Sequence, residues 1–266
     1  MSYYVLCAVV FLLAYLLNIT YITIFYHRGL THSALTLPPR VKSFVVKTGG
    51  WVTGLDPKGW CCMHRLHHRY SDTEMDPHSP VHKGFFRIAL AQLHSYKRVL
   101  KGLIRREKAY MNIVQDFDFD VSWTNRQGLW YLPYVLHLSI ALVILLLSGG
   151  SAWLLAAAYF LGIMSHPVQG WMVNSMGHAL GYRNYATSDN SRNNTMVAWL
   201  VAGEGFQNNH HRYPQAVKFS MKWFEVDWGY SLALVMRQFG IVDFEEQKDK
   251  EALASPEPWE MADSRA

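Results

Sequence analysis

Residues 3–26, YYVLCAVVFLLAYLLNITYITIFY, run without a single charge into His27-Arg28-Gly29-Leu30-Thr31-His32. At roughly 1.5 Å per residue this run is about 36 Å long as a helix, enough to cross the hydrocarbon of a bilayer. A cleavable signal would carry an early basic residue, a shorter apolar core and a small-residue cleavage site. The stretch has none of these and is expected to be a retained spanning helix that delivers two histidines to a membrane surface.

The same arrangement recurs along the chain. Histidines cluster again at His64-Arg65-Leu66-His67-His68 and at Gln207-Asn208-Asn209-His210-His211, with His178 between them. Two more apolar runs, 129–147 and 153–176, are joined by a Ser-Gly-Gly-Ser turn and are expected to form a spanning hairpin, with Pro133 and Pro167 as kink points. The run 41–55 is shorter and holds Lys42, Lys47 and three glycines. It separates two histidine clusters that must share a side to meet, so an interfacial or re-entrant helix is expected there, with Trp51 and Trp60 near the headgroups. Three crossings then place every cluster on one face. The segment 58–127 is rich in Lys and Arg, whereas the first residues and the hairpin turn have none, so the positive-inside rule puts that face in the cytoplasm.

Composition agrees with a mixed object: half the residues are hydrophobic and only 17% are charged. The net charge of +5 suits contact with an anionic leaflet, and no basic stripe interleaved with aromatics points to nucleic acid. Cys7, Cys61 and Cys62 are odd in number, and the adjacent pair is geometrically unsuited to a bridge, so reduced thiols are expected. From Glu245 the chain turns charged and Ala-rich, as a mobile tail would be. The expected architecture is an all-α integral membrane protein: residues 1–244 form one domain, with a helical cap of 58–127 and 178–244, and 245–266 are a tail.

On a helix, residues three and four apart share a face. His64, His67 and His68 have that spacing, and Gln207, His210 and His211 repeat it. His27 and His32, five apart, fit one α-helical face poorly. Imidazole suits iron, copper and zinc. The absence of C-x-x-C and H-E-x-x-H disfavours a zinc finger or zincin, and the absence of E-x-x-H disfavours a soluble carboxylate di-iron bundle. Isolated His94, His137 and His166 are expected to be ordinary core or surface residues, and His78 and His82 loop residues.

Four segments carry a family likeness: HRGLTH (27–32), W-x-x-x-HRLHHRYSDTEMDPH (60–78), WMVNSMGHALGYRNY (171–185) and GEGFQNNHHRYP (203–214). Over roughly residues 20–240 the chain resembles the membrane fatty-acid desaturases, most closely the stearoyl-CoA (delta-9) branch. The resemblance implies a histidine-ligated pair of iron ions at the cytosolic mouth of an acyl tunnel, and O2-dependent insertion of a cis double bond into an acyl chain. The implied ligands are His27, His32, His64, His67, His68, His178, His210 and His211. Asn174 would act through a water, and Gln207 stands where the branch carries histidine and would either bind through its amide oxygen or leave a coordination site open. Trp60 and Trp171 match tunnel aromatics, and Arg65, Arg69, Asp72 and Asp76 are placed to hold the ligands or their loop.

The implied partners are a fatty acyl substrate (acyl-CoA, acyl-lipid or acyl-carrier thioester), O2, membrane lipid and an external ferredoxin or cytochrome b5 type donor with its reductase. No fused haem motif is visible. Sibling chemistries on such a scaffold are hydroxylation and alkene-forming decarboxylation, and a membrane metal-binding protein without turnover is a third reading.

Overall fold

A computed structural model describes residues 2–245. Among these the chain is all-helical, and pairing of the β type is confined to isolated bridges such as Thr36 with Asp243 and Asn193 with Phe206. The expected 245–266 tail lies, from residue 246 onward, outside the described residues.

Helix α1 (Tyr3–Ile19) buries only Cys7, Ala14, Asn18 and Ile19, and turns Leu12, Leu13, Leu16 and Leu17 outward. A soluble amphipathic helix does the reverse. It continues without a break into a π-helical segment, Thr20–Thr31, whose residues are almost all buried. Together they form the one described helix long and apolar enough to cross a membrane, Tyr3–Thr31.

Helix α2 (Pro39–Thr53) opens on a proline and closes on Gly54 at φ +74°, where a left-handed cap favours glycine. It packs on the π segment through Gly49, where a Cβ would meet the Tyr26 hydroxyl, and through Tyr21 Oη, 2.7 Å from Thr48 Oγ1. Helix α3 (Pro57–Tyr70) is capped by Asp56, which accepts from the Gly59 N–H at 3.1 Å. Its Cys62 and Met63 pack with Tyr96, Val99, Leu100 and Leu103 of α4 (Ile88–Ile104).

Helices α5 (Leu132–Leu147) and α6 (Trp153–Ile163) are the hairpin, and α6 lies along α1. A Cβ on Gly162 would come within 2.6 Å of the Phe11 carbonyl, so the close approach needs glycine. His137 is satisfied on both nitrogens, by Tyr159 Oη at 2.7 Å and the Trp51 carbonyl at 2.8 Å, and ties α5 to α6 and α2; it is a core residue, as its isolation suggested.

The run 153–176 is not one helix. It stops at Ile163 and restarts as α7 (His166–Trp171), followed by a π turn, Met172–Met176. Pro167 explains the break: it has no N–H, and its ring would clash with the carbonyl four residues back, that of Ile163. Pro133 sits in the first turn of α5 and starts that helix rather than kinking it.

Beyond residue 180 the expected mostly helical region contains only short helices, α8 (Thr195–Leu200), α9 (Gln207–Arg212) and α10 (Trp228–Gln238). Side chains hold the irregular backbone between them. Asn209 donates to the Phe219 carbonyl and to Glu225 and accepts from Asn184 and Asn193, while Asn208 accepts from the N–H groups of Asn184 and Tyr185. Buried loop backbone needs such partners.

Candidate metal centre

The π segment resolves the awkward spacing of the first histidine pair. Hydrogen bonds run from residue i to i+5 in a π-helix, and the His32 N–H donates to the His27 carbonyl at 3.1 Å. Residues five apart therefore stand one above the other, and the two rings lie 4.9 Å apart.

His27, His32, His64, His68 and His210 form one cluster. Their Nε2 atoms face each other: His27 to His210 at 3.0 Å, His32 to His64 at 3.1 Å, His64 to His68 at 3.1 Å and His68 to His210 at 2.9 Å. With metal–imidazole bonds of about 2.1 Å, ligands at right angles stand about 3.0 Å apart and tetrahedral ligands about 3.4 Å. The observed edges bring the five nitrogens close enough for one metal ion to be held among them. Burial, together with the neighbouring imidazoles, holds His32, His64, His68 and His210 well below the usual histidine range. The rings are therefore neutral, as ligands must be. Trp60 stacks on His64 at 5.1 Å and 11°. It belongs to this site rather than to a headgroup layer.

His67, His178 and His211 form a second cluster, against the first, since the His68 and His211 rings are 4.4 Å apart. Each of the three has a buried Nε2 with no protein partner, and each Nδ1 faces a carboxylate. His67 meets Asp76 at 3.0 Å, His178 meets Asp72 at 2.9 Å and His211 meets Asp189 at 2.5 Å. This is the pattern of metal-binding histidines, in which the outer nitrogen is fixed so that the inner one presents its lone pair. Burial lowers His67, but Asp76, joined by Asp72 and Asp189, raises it on balance. For His211 burial prevails over Asp189. Burial would raise Asp72, yet its hydrogen bonds from His178, Ser79 and the Asn190 N–H hold it at about 2.

The donor chemistry thus fits two metal ions, with five imidazoles to hold one and three to hold the other. All eight histidines singled out in the sequence fall in these two clusters. Gln207 is buried beside them, its side chain against Gly177 and its Nε2 donating to the Glu204 carbonyl at 2.9 Å. Asn174 is half-buried on the π turn and approaches Gln92 at 3.5 Å. Arg65 grips Asp116 with two bonds and the Thr31 carbonyl with a third, fixing α3 to the end of the π segment.

Several residues of the centre were not singled out as site residues in the sequence. Glu204 Oε2 lies 2.6 Å from His27 Nδ1. Arg28, fully buried, pairs with Glu204 at 3.0 Å and with Asp227 at 3.1 Å. His78 is in a turn, as expected, but it is 1% exposed and stacks on His67 at 4.6 Å. Asp189 lies outside every histidine motif. Acidic residues near G-E-G and before N-S-R were the available signal for Glu204 and Asp189, and only the folded loops give it meaning.

A mostly apolar cavity of about 420 Å³ reaches the clusters. Its lining includes His27 and His64 of the first cluster with His78, Asn174, Glu204 and Gln207, and the apolar and aromatic Trp60, Met63, Val173, Leu93, Trp130 and Tyr134. Trp171 is not on this wall. Its indole N–H donates to the Phe85 carbonyl at 3.1 Å and its ring packs on Phe85 and Phe86.

An all-helical scaffold with eight clustered histidines beside a mostly apolar cavity is the arrangement of a candidate metal centre. Residues 3–227 match the fatty acid desaturase family profile, and the chain belongs to that family. It is 31% identical over 222 residues to an acyl-CoA C20 Delta5-desaturase of Anemone leveillei, covering 82% of this chain and 67% of that protein. It is 30% identical over 230 residues to an sn-1 stearoyl-lipid 9-desaturase of Anabaena variabilis, covering 86% and 79%. A palmitoyl-monogalactosyldiacylglycerol delta-7 desaturase of Arabidopsis thaliana is 27% identical over 88% of this chain and 62% of its own length. The chain thus spans about two thirds of the length of several of its relatives.

Proposed function

We propose that the protein is an integral membrane acyl desaturase that inserts a cis double bond into a fatty acyl chain, delta-9-like in its regiochemistry. Its reaction converts CH2–CH2, O2, two electrons and two protons into CH=CH and two waters. The observation that carries the reading is the pair of adjoining histidine clusters, the first of which lines a mostly apolar cavity through His27 and His64.

The eight histidines would hold two iron ions, which would supply the O2-dependent oxidising chemistry needed to remove hydrogen from an unactivated methylene. The protein's own residues do the rest. Asp72, Asp76, Asp189 and Glu204 orient the imidazoles. Asn174 and Gln207 line the cavity, and in this reading Asn174 acts on the metal through a water and Gln207 through its amide oxygen. The apolar wall offers a methylene chain no polar handle, so cavity length and the packing of Trp60 and Met63 decide which carbon halts beside His27 and His64. Excluding bulk water keeps the oxidant from side reactions.

Three crossings, Tyr3–Thr31, Leu132–Leu147 and the run from Trp153, leave the clusters on the cytoplasmic face. There an external ferredoxin or cytochrome b5 type donor docks. Acyl-CoA, acyl-lipid and acyl-carrier thioesters are the substrate classes, and the relatives' names span the first two.

The test is expression in a host lacking unsaturated fatty acids, followed by gas chromatography of its lipids. A new cis-monoene is expected. A hydroxy acid or a shortened terminal alkene instead would replace desaturation by one of the sibling chemistries, and bound metal with no new lipid would favour a protein without turnover.

A further inference from the structure

The cap carries an apolar edge that no described residue covers. Helix α8 buries Val197 and Ala198 and turns Met196, Trp199 and Leu200 outward, Trp199 being 66% exposed. The loop before α10 adds Trp223, 95% exposed, with Phe224 and Val226. The two stretches are joined by the Trp228 indole N–H, which donates to the Trp199 carbonyl at 2.7 Å. Lys222 borders them, its Nζ 5.3 Å from the Tyr182 ring. Exposed aromatics fringed by lysine are the composition of a membrane interface, and a contiguous apolar patch marks a contact surface.

The position of this edge along α1 identifies its partner. Asn18 donates to the Ile163 carbonyl at 2.8 Å, so the last residue of α6 is level with Asn18. The Tyr15 hydroxyl donates to the Leu200 carbonyl. Tyr15 precedes Asn18 within the long apolar run of α1. The tip of α8 is therefore tied to a side chain of that run rather than standing free of it.

We infer that the tip of α8 and the loop 222–226 insert into the bilayer leaflet next to the metal centre, as a lipid-seated hook distinct from the spanning helices. The inference rests on the spanning reading of Tyr3–Thr31. The hook continues directly into Val201, which lines the cavity, and Glu204, which holds His27. Seating in lipid thus sets the cavity wall against the acyl layer, so an acyl chain reaches the clusters without crossing water.

Nitroxide labels at Trp199→Cys and Trp223→Cys, in the full-length metal-loaded protein in phosphatidylcholine nanodiscs, test this. Both sites are exposed, and the native Cys7, Cys61 and Cys62 are buried and do not compete for label. Collisions with O2, which partitions into lipid, are compared with those of a water-soluble nickel chelate. Leu13→Cys on α1 is the lipid reference and Arg105→Cys at the end of α4 the aqueous one. The hook predicts a several-fold excess of oxygen over nickel collisions at Trp199→Cys, as at Leu13→Cys, and an interfacial value at Trp223→Cys. Nickel access at Trp199→Cys equal to that at Arg105→Cys overturns it, as does protection from both reagents, which would mean a protein cover. Lipid contact at Leu13→Cys with water contact at Trp199→Cys removes the hook alone; water contact at both removes the spanning reading with it.

Discussion

The two histidine clusters reach the same end by different routes. In the five-histidine cluster the imidazoles crowd one another, nitrogens 2.9–3.1 Å apart, and burial with mutual repulsion keeps the four rings outside the span neutral. Only His27 among them is backed by a carboxylate that the structure shows, Glu204. In the three-histidine cluster every ring is backed by an aspartate. The three anions compensate the charge of an ion held by fewer ligands. The second cluster also has His78, which lines the cavity, stacked on His67 at 4.6 Å. The first thus meets the cavity through His27 and His64, and the second is a fully buried, anion-supported site. Ligand number alone would have hidden that the poorer site has the richer outer support.

Removing one inner ligand is the hardest blow to this contrast. His67→Ala is expected to abolish turnover, a loss beyond the roughly 10–100-fold typical of outer partners, and to lower iron from two to one per chain while the protein stays folded in detergent. Metal analysis beside the lipid assay checks both; two irons retained would remove His67 from the ligand set.

Arg28→Ala comes next. It leaves Glu204 and Asp227 buried without their cation, and breaking a buried pair costs about 3–5 kcal/mol. Thermal unfolding should fall accordingly, and the five-histidine cluster, which depends on Glu204, should lose its metal first. An unchanged melting temperature would contradict the account of this network.

Asp189→Asn removes the anion behind His211. Metal affinity at the second cluster should drop roughly 10–100-fold with the first unchanged, and Glu204→Gln should show the converse. Competition with a chelator reads both, and equal losses at both clusters would erase the distinction drawn between them.

A smaller effect is expected from acid. Burial would raise Glu225, but bonds from Tyr182, Asn184 and the N–H groups of Met221 and Lys222 lower it below its ordinary 4.5. A depressed folded value means that its stabilisation is fully present above pH 4.5 and is lost as pH falls through the lower folded value. Acid unfolding of the cap, followed by tryptophan fluorescence, should therefore have a limb below pH 4.5 that Glu225→Gln flattens. The smallest effect belongs to His94→Ala: the residue is exposed on α4, and a change within about 0.5 kcal/mol with full metal content is expected.

Spacing made the inner ligands legible. His64, His67 and His68, and His210 and His211, stand where one helical face presents them, and His27 and His32 were marked by following the longest apolar run. Their convergence was not legible, because a five-residue spacing suits a π-helix and nothing in TYITIFYHRGLT announces one. The carboxylates were legible only where they follow a histidine motif closely: Asp72 and Asp76 were singled out, while Asp189 and Glu204 depend on loops that close over long separations. The hairpin was visible as hydropathy, but Pro167 outweighed hydropathy and split its second helix. Trp171 shows the limit of motif matching, since its indole serves the Phe85 carbonyl and not the cavity wall.

Iron content of the purified protein, measured per chain after anaerobic loading and removal of loosely bound metal, tests the central claim most directly. Two irons per chain are predicted, falling to one in His67→Ala; a single iron in the unaltered protein, or two that survive that substitution, would contradict a centre built from two histidine clusters.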